Sequence, residues 1–148
     1  MSGTSAIPIF PIPGVSAAIF RDGRVLLVKR AKGRLRDLWS LPGGHIEPGE
    51  PALDAIHREI FEEAHIEAEI IGLVDVFDVI LHNQAGQLAA HYVLNVFYGV
   101  WRSGEAEAGS DSAAVKWVFP SEITGLSVTD GLVGIVNQAS ERLKDRSQ

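Results

Sequence analysis

The segment Arg58-Glu59-Ile60-Phe61-Glu62-Glu63 gathers three carboxylates on an otherwise well-formed helix, and no other feature constrains the chain as much. At about 100° of turn per residue, Leu53, Ile56, Ile60 and Ala64 form one apolar stripe suited to docking on a core. Glu59, Glu62 and Glu63 then fall within an arc of roughly 100° beside that stripe. The helix gains nothing from them. Glu59 and Glu63 are a like-charged pair four residues apart, which costs on the order of 0.2–0.5 kcal/mol. Glu62 and Glu63 also occupy the last turn, where the helix dipole disfavours negative charge. Glu-rich helix faces are ordinarily solvated surface. Here, a local rule broken without local compensation points to a site, and a divalent cation would supply the compensation.

The residues before the helix strengthen that reading. Leu41-Pro42-Gly43-Gly44-His45-Ile46-Glu47-Pro48-Gly49-Glu50-Pro51 holds three prolines and three glycines, so it is expected to be a shaped loop. Pro51 suits the first helical position, which would put Glu50 at the N-cap. Gly43 and Gly44 allow close approach of main chain, so a carbonyl from either is a candidate further ligand.

With these residues in view, the segment resembles the Nudix box, G-x5-E-x7-R-E-U-x-E-E-x-G-U with U a bulky aliphatic residue. Gly44, Glu50, Arg58, Glu59, Ile60, Glu62, Glu63 and Ile66 stand at its fixed positions. His65 alone departs, standing where the family has glycine. That position is the helix C′ residue, expected in the left-handed conformation, which histidine adopts at a cost on the order of 1 kcal/mol. Strain at His65 is therefore expected, with the metal-ligand positions intact. The Trp39-Ser40-Leu41-Pro42 approach and the later Trp117-Val118 strand are also similar to the family.

The resemblance implies an α/β/α sandwich and a hydrolase that cleaves the pyrophosphate of a nucleoside diphosphate-linked small molecule with Mg²⁺, or Mn²⁺ in its place. The ADP-ribose type is preferred, and hydrolysis of (d)NTPs of the nucleotide-sanitising kind is the alternative. Glu59 and Glu63 are expected as direct metal ligands, Glu62 directly or through water, and Gly43 or Gly44 through a carbonyl. Hard oxygen donors suit Mg²⁺. Arg58 and Glu50 are expected as a bidentate pair holding loop to helix. The general base is open between Glu59 or Glu62 and a loop carboxylate among Glu105, Glu107 and Asp111. Arg30 and Arg36, within the basic run from Lys29 to Arg36, are candidate phosphate contacts, and Trp39 is a candidate base-stacking residue. Members of the family are often homodimers, so a homodimer is an expectation.

The other readings lack their signatures. A silent Nudix-fold binding module would normally have lost a box carboxylate, and Glu59, Glu62 and Glu63 all remain. A glycosidase needs two carboxyls facing each other across a sugar cleft, which one helix face does not provide. No D-x-D-x-D-G loop of the calcium-binding kind is present.

The whole chain of 148 residues reads as one domain, with residues 1–12 extended and 145–148 a disordered tail. A net charge of −6 argues against a nucleic-acid polymer as partner and makes a bridging cation necessary for an anionic substrate. No apolar run is long enough to span a bilayer. The apolar N-terminal stretch contains three prolines without a basic lead-in, unlike a secretory leader. Cysteine is absent, which excludes disulfides and thiolate metal sites. A cytoplasmic location is expected.

The remaining pattern predicts a mixed sheet with helices on its two faces. Strands are expected at Val15–Phe20 and Arg24–Lys29 around an Asp22-Gly23 turn, at Leu38–Leu41, Ala68–Leu81, Leu88–Trp101 and Val115–Phe119. Ser103–Ala114 is expected to be loop. Thr129 is expected to cap a last helix running to about Lys144.

Overall fold

The computed structural model describes residues 9–109 and 111–146. Asp22 and Gly23 take φ of 51° and 81°, the two positive values of a tight hairpin turn, and join β1 (Ile12–Arg21) to β2 (Arg24–Arg30). Next come β3 (Trp39–Ser40), β4 (Gly43–His45) and α1 (Ala52–Ala64). A long hairpin of β5 (Glu67–His82) and β6 (Leu88–Ser103) is followed by β7 (Ser112–Val118), a 3₁₀ turn (Pro120–Gly125) and α2 (Leu132–Arg146).

All seven strands join one sheet, ordered β3-β2-β1-β6-β5, with β4 also on β1 and β7 also on β2. β1 and β6 run parallel from Ile12↔Tyr92 to Phe20↔Val100, and the other pairs are antiparallel. Period-two alternation along β1 splits the core between two faces. Val15, Ala17 and Ile19 pack with Ile56, Ile60 and Ala64 of α1. Ala18 and Phe20 pack on the opposite side with Leu132, Val136 and Ala139 of α2. This is the α/β/α arrangement expected from the sequence.

β1 and β2 are paired only near their turn, at Phe20↔Val25 and Arg21↔Arg24. Beyond it, β1 takes β4 as its neighbour while β2 follows β7. A cleft of about 360 Å³ is lined by Ser16, Arg30, Lys32, Arg34, Gly43, Gly44 and His45, together with Val79, Tyr92 and Leu94.

Several local expectations need correction. The glycine-rich stretch is not all loop, because Gly43–His45 pairs with Gly14–Ser16 as strand β4. A Cβ on Gly43 would lie 2.2 Å from the Val15 carbonyl oxygen, so glycine here serves strand pairing. The apolar stripe of α1 is displaced. Leu53 is exposed, and the buried face comprises Ala55, Ile56, Ile60, Glu63 and Ala64. The helix is rolled so that Glu63, not Leu53, faces inward. Pro51, rather than Glu50, is the residue before the first helical turn, and the Glu50 carboxylate turns to other donors. The predicted 103–114 loop is shorter, since β7 begins at Ser112 and continues along β2. α2 begins at Leu132, and Thr129 instead bonds through its N–H to the Trp39 carbonyl. Asp145 and Arg146 continue α2, while residues 1–8 and 147–148, parts of the expected extended segment and tail, lie outside the described residues. Among the described residues, no helix is long and apolar enough to cross a membrane.

Candidate active site

Arg58 organises the acidic face. Its Nε and Nη2 donate to the two carboxylate oxygens of Glu50 at 2.8 and 2.9 Å. Its Nη1 reaches Glu59 at 2.7 Å and Glu62 at 3.2 Å, and Nη2 also meets the His45 carbonyl at 3.1 Å. The planar five-donor fork of arginine suits this work, and lysine could not duplicate it. The Glu50 carboxylate is drawn down to about 2, first by the Arg58 hydrogen bond and then by the Glu47 N–H. Arg58 is pushed upward, chiefly by Glu50. Glu47-Pro48-Gly49-Glu50 forms a turn with Gly49 at φ 83° and Glu50 N–H bonded to the Glu47 carbonyl, which brings Glu50 within reach.

The three box glutamates are graded in exposure, with 47% of the Glu62 side chain, 14% of Glu59 and 6% of Glu63 accessible. Glu63 is thus a buried carboxylate. One oxygen accepts the Gly43 N–H at 3.1 Å and the other lies 3.5 Å from Arg30 Nη1. Burial pushes its pKa up to about 8, against the opposing pull of Arg30 and Gly43, and the neighbouring Glu59 carboxylate adds to the rise. Gly44 closes the group from the strand side: a Cβ there would fall 2.6 Å from the Glu59 carboxylate.

The strand register separates the roles of the two glycines. Ala17 N–H bonds to the Pro42 carbonyl and Ile46 N–H to the Pro13 carbonyl. In an antiparallel ladder with Val15 opposite Gly44, that alternation commits the peptide groups of Gly44 to β1. The groups of Gly43 face the other way, toward α1, as its bond to Glu63 shows.

The end of α1 is held from outside the box. Gly109 N–H bonds to the Glu63 carbonyl at 3.1 Å, Ser112 Oγ donates to the same carbonyl at 2.8 Å, and Glu107 N–H bonds to the Ala64 carbonyl at 3.0 Å. Orphan carbonyls at the C-terminus of the helix thereby gain donors. Sequence reasoning missed Gly109 and Ser112, and a small residue in an acidic loop carries no motif that would reveal them. His65 has φ 58° and ψ 30°, the left-handed conformation expected in place of the box glycine.

A NUDIX domain model matches residues 11–133. The chain belongs to the Nudix family. It is 36% identical over 101 residues to a putative 8-oxo-dGTP diphosphatase of Bacillus subtilis, covering 68% of this chain and 60% of that protein. It is 30% identical over 110 residues to an ADP-ribose pyrophosphatase of Methanocaldococcus jannaschii, covering 74% of this chain and 62% of that one. The chain therefore spans about three fifths of these two curated relatives. The crystal structure of a MutT NUDIX hydrolase from Burkholderia pseudomallei superposes with a TM-score of 0.75 at 32% identity, covering 87% of this chain and 98% of the other.

Against the Nudix motif, the structure brings Glu50, Arg58, Glu59, Glu62, Glu63, Gly43 and Gly44 into one neighbourhood. Arg30 joins them across the cleft. Arg36 does not line the cleft; it is exposed, with Asp37 at 4.0 Å. Trp39 packs at the edge of the α2-side core between Lys29 and Lys116 and does not line the cleft either. Glu105 is exposed, 3.9 Å from Arg21, and Asp111 lies 3.6 Å from Lys32. Among the described residues, no three His, Asp or Glu side chains are grouped as a metal site. Arg58 holds Glu59 and Glu62, and Glu63 faces Gly43 and Arg30. The donor set still fits a hard divalent cation: the buried Glu63 carboxylate has only the loosely held Arg30, 3.5 Å away, as counter-charge, and every candidate donor is oxygen.

Proposed function

We propose that this protein is a Mg²⁺-dependent hydrolase of the pyrophosphate bond in nucleoside diphosphate-linked small molecules, with ADP-ribose as the preferred type. One observation carries the reading: the Glu59–Glu63 face and a cleft lined by Arg30, Lys32 and Arg34 meet at Gly43 and Gly44. An acidic pole beside a cationic wall suits a substrate whose phosphates are bridged to carboxylates by a cation while basic side chains take the remaining charge.

Glu59 and Glu63 would hold the metal, Mg²⁺ or Mn²⁺, with the Gly43 carbonyl and with Glu62 directly or through water. When bound, such an ion neutralises phosphate oxygens and acidifies a bound water. The protein supplies the rest. Arg58 fixes the glutamates against loop 47–50, and β4 holds Gly43 at the inward end of the helix. Glu62, the most exposed of the three, would accept the proton of the attacking water. Val79, Tyr92 and Leu94 offer an apolar wall for the non-phosphate part of the substrate.

Support for ADP-ribose comes from the pyrophosphatase relative covering 74% of the chain. The relative at 36% identity, a putative 8-oxo-dGTP diphosphatase, favours a second reading in which (d)NTPs are cut to monophosphate and pyrophosphate. A panel of ADP-ribose, NADH, dinucleoside polyphosphates, nucleotide sugars and oxidised dNTPs, each with Mg²⁺ and with EDTA, decides between them. The expected result is EDTA-sensitive release of AMP and ribose 5-phosphate from ADP-ribose. Turnover of dNTPs alone would move the protein to the second reading, and no turnover with Mg²⁺, or with Mn²⁺ in its place, would reject both.

A further inference from the structure

Two arginines stand beside the carboxylates, and they differ in how fully they are bound. All three nitrogens of Arg58 donate within the glutamate–loop cluster. Arg30 is held loosely. Its Nη1 is 3.5 Å from Glu63, beyond good hydrogen-bond length, and its buried Nε has no hydrogen-bond partner. A buried N–H without an acceptor is costly, so another arrangement of this side chain has an incentive. Arg30 lines the cleft with Lys32 and Arg34, and 30% of its side chain is accessible from there.

We infer that Arg30 is an exchangeable counter-ion: it faces Glu63 in the metal-free protein and transfers to a substrate phosphate when Glu63 is taken by a cation. This rests on the hydrolase reading and adds to it a residue that couples the two binding events. A guanidinium and a divalent cation compete for one carboxylate, because each repels the other at that range. The guanidinium released from Glu63 then faces the cleft with its donors unmet, and a phosphate offers two oxygens to the planar fork for a bidentate pair. Coupling of this kind is reciprocal: an anion that draws Arg30 away frees Glu63, just as loss of the Glu63 charge frees Arg30. Arg58 cannot serve this role, since its release would dismantle the loop–helix clamp.

The test is a double-mutant cycle on the full chain in EDTA at pH 9, where Glu63 is ionised, so that neither metal nor turnover enters. Calorimetry measures the affinity of α,β-methylene-ADP for wild type, Glu63→Gln, Arg30→Gln and the double variant. Glu63→Gln is expected to tighten the probe on the order of tenfold when Arg30 is present and by less than about twofold when it is absent. An equal gain in both backgrounds would reduce Arg30 to one more surface charge, and no gain in the presence of Arg30 would refute the exchange. Should Glu63→Gln not fold, the Arg30 Nε–H resonance of the wild type takes its place. Mg²⁺ alone must shift it and open it to solvent exchange, and an unchanged resonance at saturating Mg²⁺ overturns the inference. Both readings are independent of turnover, so failure of the substrate panel and failure of the exchange are separate results.

Discussion

Gly44 lies so close to Glu59 that a Cβ on the glycine would sit 2.6 Å from the carboxylate carbon and from one of its oxygens. The obstructing atoms are the far end of a flexible side chain, so the carboxylate, not the backbone, must yield. Gly44→Ala is therefore expected to leave melting temperature within a few degrees of wild type while displacing Glu59. A displacement of about 1 Å at a reacting centre costs on the order of 10²-fold in rate. Steady-state kinetics at saturating Mg²⁺ would check this; near-wild-type turnover would remove Glu59 from the site.

The buried acid makes a pH prediction with a definite sign. Glu63 has a folded-state pKa near 8, above its ordinary 4.5, mainly through burial. Its contribution to stability is thus fully present below about pH 4.5 and is lost as pH rises through 8. In EDTA, wild type should lose melting temperature between pH 6 and 9 relative to Glu63→Gln. A metal must displace that proton, so Mn²⁺ affinity should rise roughly tenfold per pH unit and level off above 8. Scanning calorimetry and Mn²⁺ titration across this range would expose the contrary case, a flat profile.

The acidic cluster and a mixed sheet with helices on its two faces were legible in the sequence because both follow from short-range periodicity, while the α/β/α sandwich itself came from the resemblance to the Nudix box. The Asp22-Gly23 turn, the alternation along β1 and the spacing of Glu59, Glu62 and Glu63 are each decided by a few neighbouring residues. What escaped depends on distant partners. Gly43–His45 looked like loop because two glycines and a flanking proline have low strand propensity, yet pairing with β1 overrides propensity. The roll of α1 that exposes Leu53 and buries Glu63 is set by the sheet beneath it and by Gly43, Arg30, Glu107 and Gly109 around it, none of which helical periodicity can see.

Gly109 illustrates the same long-range dependence and is testable by itself. A Cβ on it would lie 1.7 Å from the Glu62 carbonyl oxygen and 3.2 Å from the Glu63 Cα, both backbone. No side-chain rotation relieves that overlap, so Gly109→Ala must push the loop off the helix end and release the Glu63 carbonyl from its donors. Loss of the order of 1–3 kcal/mol is expected by denaturant unfolding, with weaker metal binding alongside. A variant as stable as wild type would mean that the loop does not hold the helix.

His65 supplies the converse case, a position where the natural residue is the strained one. Its φ of 58° is glycine's territory, and its N–H closes the helix on the Phe61 carbonyl at 2.9 Å. Replacing it by glycine relieves the left-handed strain, a gain of up to about 1 kcal/mol. Two effects oppose that gain. The imidazole meets the Phe61 ring edge-on at 5.7 Å, a contact that glycine deletes, but Phe61 is exposed and the contact is correspondingly weak. Glycine also enlarges the freedom of the unfolded chain. Relief of strain should prevail by a few tenths of a kcal/mol, raising the melting temperature by one to a few degrees, while His65→Ala, which keeps a Cβ at positive φ and loses the ring contact, should fall below wild type. If His65→Gly also falls below wild type, the ring contact and chain entropy outweigh the backbone strain.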